Sequence, residues 1–268
     1  MNRNSILKQR TITGIIFGIV VLTMLLYSGK SAAILLAIIS FGASREYISM
    51  IFGADRKKWW IVSILFILMT YLIYVSASNK MHFIYTTGVS CLFFLSGIVH
   101  LFRPFIPHKK LWWLICSLYI GLPAALLISY ILTYQPYPAI LMVSIILMIW
   151  ANDSFAYLVG SRLGKNKLWP AISPGKTWEG FFGGGVFTLI TAIIIFFSTR
   201  QYPLSFWISA ALIIWVVGTL GDLFESSVKR TFHVKDSGNL LPGHGGILDR
   251  FDSFIYVLPF ILFLLLIF

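Results

Sequence analysis

An all-α polytopic membrane protein with about nine transmembrane helices is the expected fold, and three features of the 268-residue chain lead there. Only 11% of the residues are charged, against 58% hydrophobic and 16% aromatic, and the mean hydropathy is +0.87. Soluble domains carry roughly 25% charged residues, so this chain has too little polar surface to coat a globule. The apolar residues come in runs of about 20, long enough to cross a hydrocarbon layer of ~30 Å as helix. Those runs lack the two-residue alternation of a barrel strand, and in lipid a spanning segment must satisfy its own backbone, which leaves the helix. The same numbers exclude a soluble enzyme, a disordered or collagenous chain and a disulfide-rich secreted domain. Cys91 and Cys116, the two cysteines, sit inside apolar runs and read as packing residues.

The runs fall near 12–28, 31–52, 59–78, 82–102, 111–133, 138–160, 180–199, 205–225 and 250–268. The first follows Arg3, Lys8 and Arg10 and mimics a signal peptide, with Ser31-Ala32-Ala33 imitating a cleavage site. Lys30 at the wrong end of the run, and the Gly14/Gly18 pair, favour a retained, packed helix. The third and fifth runs open on Lys57-Lys58-Trp59-Trp60 and Lys109-Lys110-Leu111-Trp112-Trp113, cations for headgroups and indoles for the interface. The sixth contains Asp153, and Gly183-Gly184-Gly185 in the seventh suits close helix packing. The eighth ends in Asp222 and Glu225, and Asp249 and Asp252 open the ninth.

Nine spans divide the loops between two sides, and the basic residues between them are very uneven. Seventeen of the 21 Lys and Arg fall on the side of the N-terminus, three (Lys30, Lys80, Arg200) on the other, and Arg45 lies within the second run. By the positive-inside rule the N-terminus and the polar loops 161–179 and 226–249 are expected in the cytoplasm and the C-terminus across the membrane. The net charge of +12 is therefore topological, and no nucleic-acid partner is needed to explain it. The chain reads as one integral-membrane domain, 1–268, with 1–135 as scaffold and 136–268 carrying the site.

Nine acidic residues exist, and seven of them lie from Asp153 onward. A carboxylate in or beside a span costs several kcal/mol unless a partner, a cavity or a metal meets it. If the eighth helix continues past 225, then Asp222, Ser226 and Lys229 or Arg230 share one face at spacings of three and four. Pro242-Gly243-His244-Gly245-Gly246 is a tight turn whose backbone can approach a ligand, and it delivers Asp249 to the start of the next helix. Carboxylates among Lys and Arg suit Mg²⁺ with a polyphosphate: the acids hold the metal, and metal and cations together neutralise phosphate oxygens. Mutual salt bridging at the membrane edge accounts for the same residues equally well. A second polar cluster holds Asn152, Asp153, Tyr157, Arg162 and Lys165, then Ser173-Pro174-Gly175-Lys176-Thr177-Trp178-Glu179-Gly180. Gly175-Lys176-Thr177 is no Walker motif, because Pro170 stands where the first glycine belongs and no βαβ unit surrounds it. Lys176 reads either as a phosphate contact or as a positive-inside lysine. No zinc spacing and no Gly-x-Ser-x-Gly nucleophile occurs.

The run from Ser226-Ser227-Val228-Lys229-Arg230 through Lys235-Asp236-Ser237-Gly238-Asn239-Leu240-Leu241-Pro242-Gly243-His244-Gly245-Gly246-Ile247-Leu248-Asp249-Arg250-Phe251-Asp252 resembles the signature of the phosphatidate cytidylyltransferases, the CDP-diacylglycerol synthases. The Asp153 segment and Ser173–Gly180 are similar to that family too; in the N-terminal half only hydropathy is. The resemblance implies transfer of CMP from CTP to phosphatidic acid, giving CDP-diacylglycerol and pyrophosphate, in a bilayer and with Mg²⁺, in one description paired with K⁺. It implies Asp222 and Asp249 as metal ligands, with Ser226 and Lys229 in the same catalytic site. Substrate contacts are expected from Asn152, Asp153, Lys176, Thr177, Arg230, Lys235, His244, Gly245, Gly246, Arg250 and Asp252, the cations among them on phosphates. A bacterial inner membrane and a site facing the cytoplasm are the expected setting; the oligomeric state, a homodimer included, is left open. The competing readings are a CTP-using enzyme on another lipid phosphate or polyprenol, a secondary transporter with Asp153, Asp222 and Glu225 on an ion path, and a scaffold whose charges only set topology.

Overall fold

The computed structural model describes residues 3–53, 59–102, 111–240 and 245–268. His244 and the basic anchors Lys57, Lys58, Lys109 and Lys110 lie outside the described residues. Among the described residues there are eleven α-helices: α1 (Arg3–Tyr27), α2 (Gly29–Phe52), α3 (Trp59–Ala77), α4 (Lys80–Phe102), α5 (Leu111–Cys116), α6 (Leu122–Thr133), α7 (Ala139–Leu163), α8 (Trp178–Thr199), α9 (Leu204–Ile213), α10 (Thr219–Thr231) and α11 (Leu248–Ile267). A π-helical turn, Ser117–Gly121, joins α5 to α6, and another, Ile214–Gly218, joins α9 to α10. Eight stretches among the described residues are long and apolar enough to span a membrane, and Ile12–Tyr27 of α1 is a shorter apolar helix in the place of the first expected run. The protein is an all-α polytopic membrane protein.

Two local features differ from the sequence reading. The eighth span does not stop near 225: the helix continues to Thr231, because Leu223 and Val228 bury themselves (2% and 1% exposed) on an amphipathic turn that a search for apolar runs cannot see. The loop 161–179 contains a two-stranded antiparallel sheet, β1 (Lys167–Trp169) and β2 (Ser173–Thr177), with Lys167 opposite Thr177 and Trp169 opposite Ser173. Ile172, in its turn, packs with Leu101 and Leu223, and Trp169 meets the Phe102 ring edge-on at 5 Å (4.9 Å between centroids), so apolar residues anchor this otherwise polar hairpin.

The chain divides into two compact units, and α4, α7, α10 and α11 each contribute residues to both. Unit 1 comprises Met1–Phe83, Ile106–Ala139 and Lys229–Phe251. Its centre is Tyr47, with ring centroids 6.3 Å from Trp112 and 6.2 Å from Tyr119, while Trp112 meets Phe232 at 5.0 Å. Trp112 is 3% exposed and so serves the interior rather than the lipid interface, whereas Trp59 and Trp60 are 46% and 54% exposed.

Unit 2 comprises Ile84–Phe105, Ile140–Val228 and Asp252–Phe268. Here the glycine triplet of α8 does what its sequence suggested. A Cβ on Gly184 would stand 2.8 Å from Asn152 Oδ1, and one on Gly185 would overlap the Trp215 indole, which donates to Phe181 O at 2.8 Å. Cys91 and Cys116 are buried free thiols, each within its own unit. Because the indole cannot move aside, Gly185→Val is expected to lower stability by about 2–3 kcal/mol in an SDS-titration unfolding series. Gly175→Ala, where a Cβ meets nothing within 4 Å, should shift it by less than about 0.5 kcal/mol.

Candidate functional site

Unit 2 gathers an acidic group on three elements. The π turn ends at Gly218, and Gly218, Gly221, Asp222 and Glu225 then recur at helical spacing along one face. Gly221 permits close approach to α11, since a Cβ there would overlap Tyr256, and Ser253 Oγ donates to Gly218 O at 3.1 Å. Asp252, one turn before Tyr256, is thereby brought to the acids of α10: one carboxylate oxygen from each of Asp222, Glu225 and Asp252 lies within 4.8 Å of the other two. From β2, Lys176 Nζ reaches Asp222 Oδ2 at 2.5 Å, and Ser226 Oγ donates to Asp222 Oδ1 at 3.3 Å. Asp153 is exposed on α7, in the same unit.

Three carboxylates at this spacing strain the electrostatics. At 4.8 Å and an effective dielectric of about 20, two like charges repel by roughly 3.5 kcal/mol. Lys176 offsets one charge of three. The donors are all oxygen, Asp252 is 9% exposed and Glu225 2%, and such a set suits a hard divalent cation of the Mg²⁺ type. The residues present therefore fit a metal.

Unit 1 holds a second charged group, built around Asp249 in the first turn of α11. Lys229 Nζ donates to its Oδ1 at 2.8 Å, the Ser237 N–H to both oxygens at 3.1 Å, and the Gly246 N–H to Oδ2 at 2.8 Å. Gly245, at φ +80°, turns the chain left-handed just before these donors, a conformation glycine adopts without strain. Behind Asp249 stands Glu46 of α2, 4% exposed, whose Oε2 accepts from Ser237 Oγ at 3.1 Å and from Leu248 N–H at 2.9 Å.

The expected site residues thus fall into four groups. Lys176, Asp222, Ser226 and Asp252 meet within unit 2, where Asp153 also lies, and Lys229, Gly245, Gly246 and Asp249 meet within unit 1. Asn152 and Thr177 are turned to local structure: Asn152 is buried and accepts from Thr188 Oγ1 at 3.4 Å, while Thr177 caps α8 by accepting from Gly180 N–H at 3.1 Å. Arg230 donates to Val234 O at 3.3 Å, and Arg230, Lys235 and Arg250 are exposed. Sequence reasoning did not assign Glu225 or Glu46 to the site. An acid one turn from Asp222, and an acid inside an apolar run, were the available signals.

The chain belongs to the cytidylyltransferase family, whose profile matches residues 8–268. Among curated proteins it is similar to the phosphatidate cytidylyltransferase of Bacillus subtilis (strain 168), 57% identical over 123 residues that make up 45% of each chain. The enzymes of the same name from Staphylococcus haemolyticus and Staphylococcus saprophyticus are 52% and 49% identical over 122 residues, 45% of this chain and 46% of theirs. These matched stretches span less than half the length of the relatives.

The Lys229–Asp249 pair carries its own stability test, as both side chains are nearly buried (12% and 11% exposed). Lys229→Met leaves a buried carboxylate without its counter-charge and is expected to cost about 3 kcal/mol in SDS-titration unfolding. The double variant Lys229→Met, Asp249→Leu should recover part of that loss.

Proposed function

We propose that the protein transfers CMP from CTP to phosphatidic acid, forming CDP-diacylglycerol and pyrophosphate for phospholipid synthesis. The observation that carries this reading is the meeting of Asp222, Glu225 and Asp252 with Lys176 on a lipid-embedded fold: hard-metal ligands beside a phosphate-sized cation. Membership of the family and the names of the relatives support it. In the proposed reaction a phosphate oxygen of phosphatidate attacks the α-phosphorus of CTP; the new O–P bond forms as the α–β bridging P–O bond breaks, and pyrophosphate leaves. The nucleophile is already anionic, so no strong general base is required. What the chain must supply is alignment and neutralisation of charge.

Asp222 and Asp249 are the carboxylates assigned to the metal, with Glu225 and Asp252 completing the group around Asp222. A bound Mg²⁺, with K⁺ as a second ion in the reading from family resemblance, would polarise the phosphate oxygens. Lys176 and Lys229 are assigned to phosphates, as are the exposed guanidinium groups of Arg230 and Arg250 and the Lys235 ammonium. Ser226 holds Asp222 in orientation, and Gly245 and Gly246 form the turn whose Gly246 N–H holds Asp249. Asn152, Asp153, Thr177 and His244 are kept as substrate-side residues, Asn152 and Thr177 through the helices they hold in place. The site is assigned to the cytoplasmic edge of a bacterial inner membrane, because CTP is cytosolic and phosphatidate lies in the leaflet.

Purified protein given labelled CTP, Mg²⁺ and phosphatidic acid should form a CDP-lipid, and Asp222→Asn or Asp249→Asn should each lower turnover at least about 100-fold with the fold intact. No product from folded protein, or product only with a polyprenol phosphate, would overturn the assignment. The orientation is checked separately: a fluorescent-protein fusion at the N-terminus should fluoresce, and an alkaline phosphatase fusion at the C-terminus should be active.

A further inference from the structure

Glu46 lies on α2, in the half of the chain expected to be scaffold, yet its carboxyl group is built into the surroundings of Asp249. Its Oε2 accepts from Ser237 Oγ and from the N–H of Leu248, the first residue of α11. Its Oε1 is buried with no hydrogen-bond partner among the described residues. Ser237 links this group to the next: through its side chain it holds Glu46, and through its N–H it grips both oxygens of Asp249. Leu248 directly precedes Asp249, so a single carboxyl group touches both sequence flanks of that aspartate's donor set.

The surroundings leave space for this contact and for nothing larger. A Cβ on Gly246 would overlap Ser237 Oγ and the Glu46 carboxyl group together, and one on Gly238 would come within 2.6 Å of Glu46 Oε1. Gly42, one turn earlier on α2, leaves room for the Ile247 side chain, which a Cβ there would meet at 2.5 Å. The first turn of a helix has N–H groups with no partner inside the helix, and here an acid from another element satisfies one of them. Four residues of the α10–α11 connector and the start of α11 are thus fitted to one side chain.

We propose that Glu46 is a positioning residue for the transfer reaction: it fixes Ser237 and the α11 N-terminus, and through them the orientation of the Asp249 carboxylate. The proposal rests on the role given to Asp249 above. Side chains that orient a catalytic carboxylate from behind are typically worth about 10–100-fold in activity.

The test compares kinetics with amide exchange in detergent. Glu46→Ala should lower kcat by about 10–100-fold and leave KM for CTP within roughly twofold. Glu46→Gln, which keeps an acceptor oxygen, should restore most of the rate. Ser237→Ala should also lower kcat, with no further loss when added to Glu46→Ala, because both variants break one linkage. Hydrogen exchange at Ser237 and Gly246 should quicken in Glu46→Ala and in Ser237→Ala, with α3 and α6 unchanged. Glu46→Ala at near wild-type kcat, or independent and multiplying losses, would overturn the proposal. So would unaltered exchange in Ser237→Ala, the variant that decides the matter if Glu46→Ala does not fold. If the wild type makes no CDP-lipid, the assigned reaction fails, and the exchange measurement alone then decides whether Glu46 holds the connector.

Discussion

A charged group cannot remain in an apolar helical protein without a counter-charge or a full set of hydrogen bonds, and the polar architecture of this molecule follows from that constraint. Asp249 meets it with an ammonium and two backbone N–H groups. Asp222 meets it with Lys176 and Ser226. Glu46 meets it at one oxygen, Oε2, with a hydroxyl and a helix-terminal N–H. Each acid therefore has a definite position before any ligand arrives, which catalysis by alignment requires. Within unit 2 the acidic trio stands apart: its three carboxylates crowd together, with Lys176 paired to Asp222, and that concentration of acid suits the group to a cation.

Bringing these groups together depends on missing side chains. Gly221 allows α11 to come near enough to α10 for Asp252 to join Asp222 and Glu225, and Gly238 and Gly246 allow the connector to close on Glu46. A methyl group at any of these positions would meet a ring or a carboxyl group inside van der Waals distance, so the glycines are positional parts of the polar clusters. The π turn before α10 contributes in a related way: its wider winding changes which residues of the following helix face inward.

Much of this was legible in the sequence because it is local. The helical runs follow from hydropathy, and the shared face of Asp222 and Ser226 follows from a spacing of four, as their hydrogen bond bears out. The turn at Gly245 and the delivery of Asp249 to the head of α11 were likewise visible in composition. What escaped was non-local. Glu46 meets partners 191 and 202 residues further along, and no periodicity reports such a contact. Trp112 was read as an interfacial anchor from its lysine neighbours, whereas Tyr47 and Phe232 draw it into the core. The extension of α10 past 225 entered only as a condition, because its last turns are amphipathic and a scan for apolar runs ends where polar residues begin.

On the proposed reading, the two lysine–carboxylate pairs also set the terms on which substrate can bind. Lys176 is already matched to Asp222, and Lys229 to Asp249. A phosphate that takes either lysine leaves a carboxylate without its counter-charge in partly buried surroundings, at a cost comparable to breaking the pair. A divalent cation that takes a carboxylate leaves an ammonium in the same position. Either ligand alone thus disrupts a pair, and the two together leave each protein group with a counter-charge, the cation on the aspartate and the phosphate on the lysine. The resting ion pairs therefore favour joint entry of metal and triphosphate over either separately.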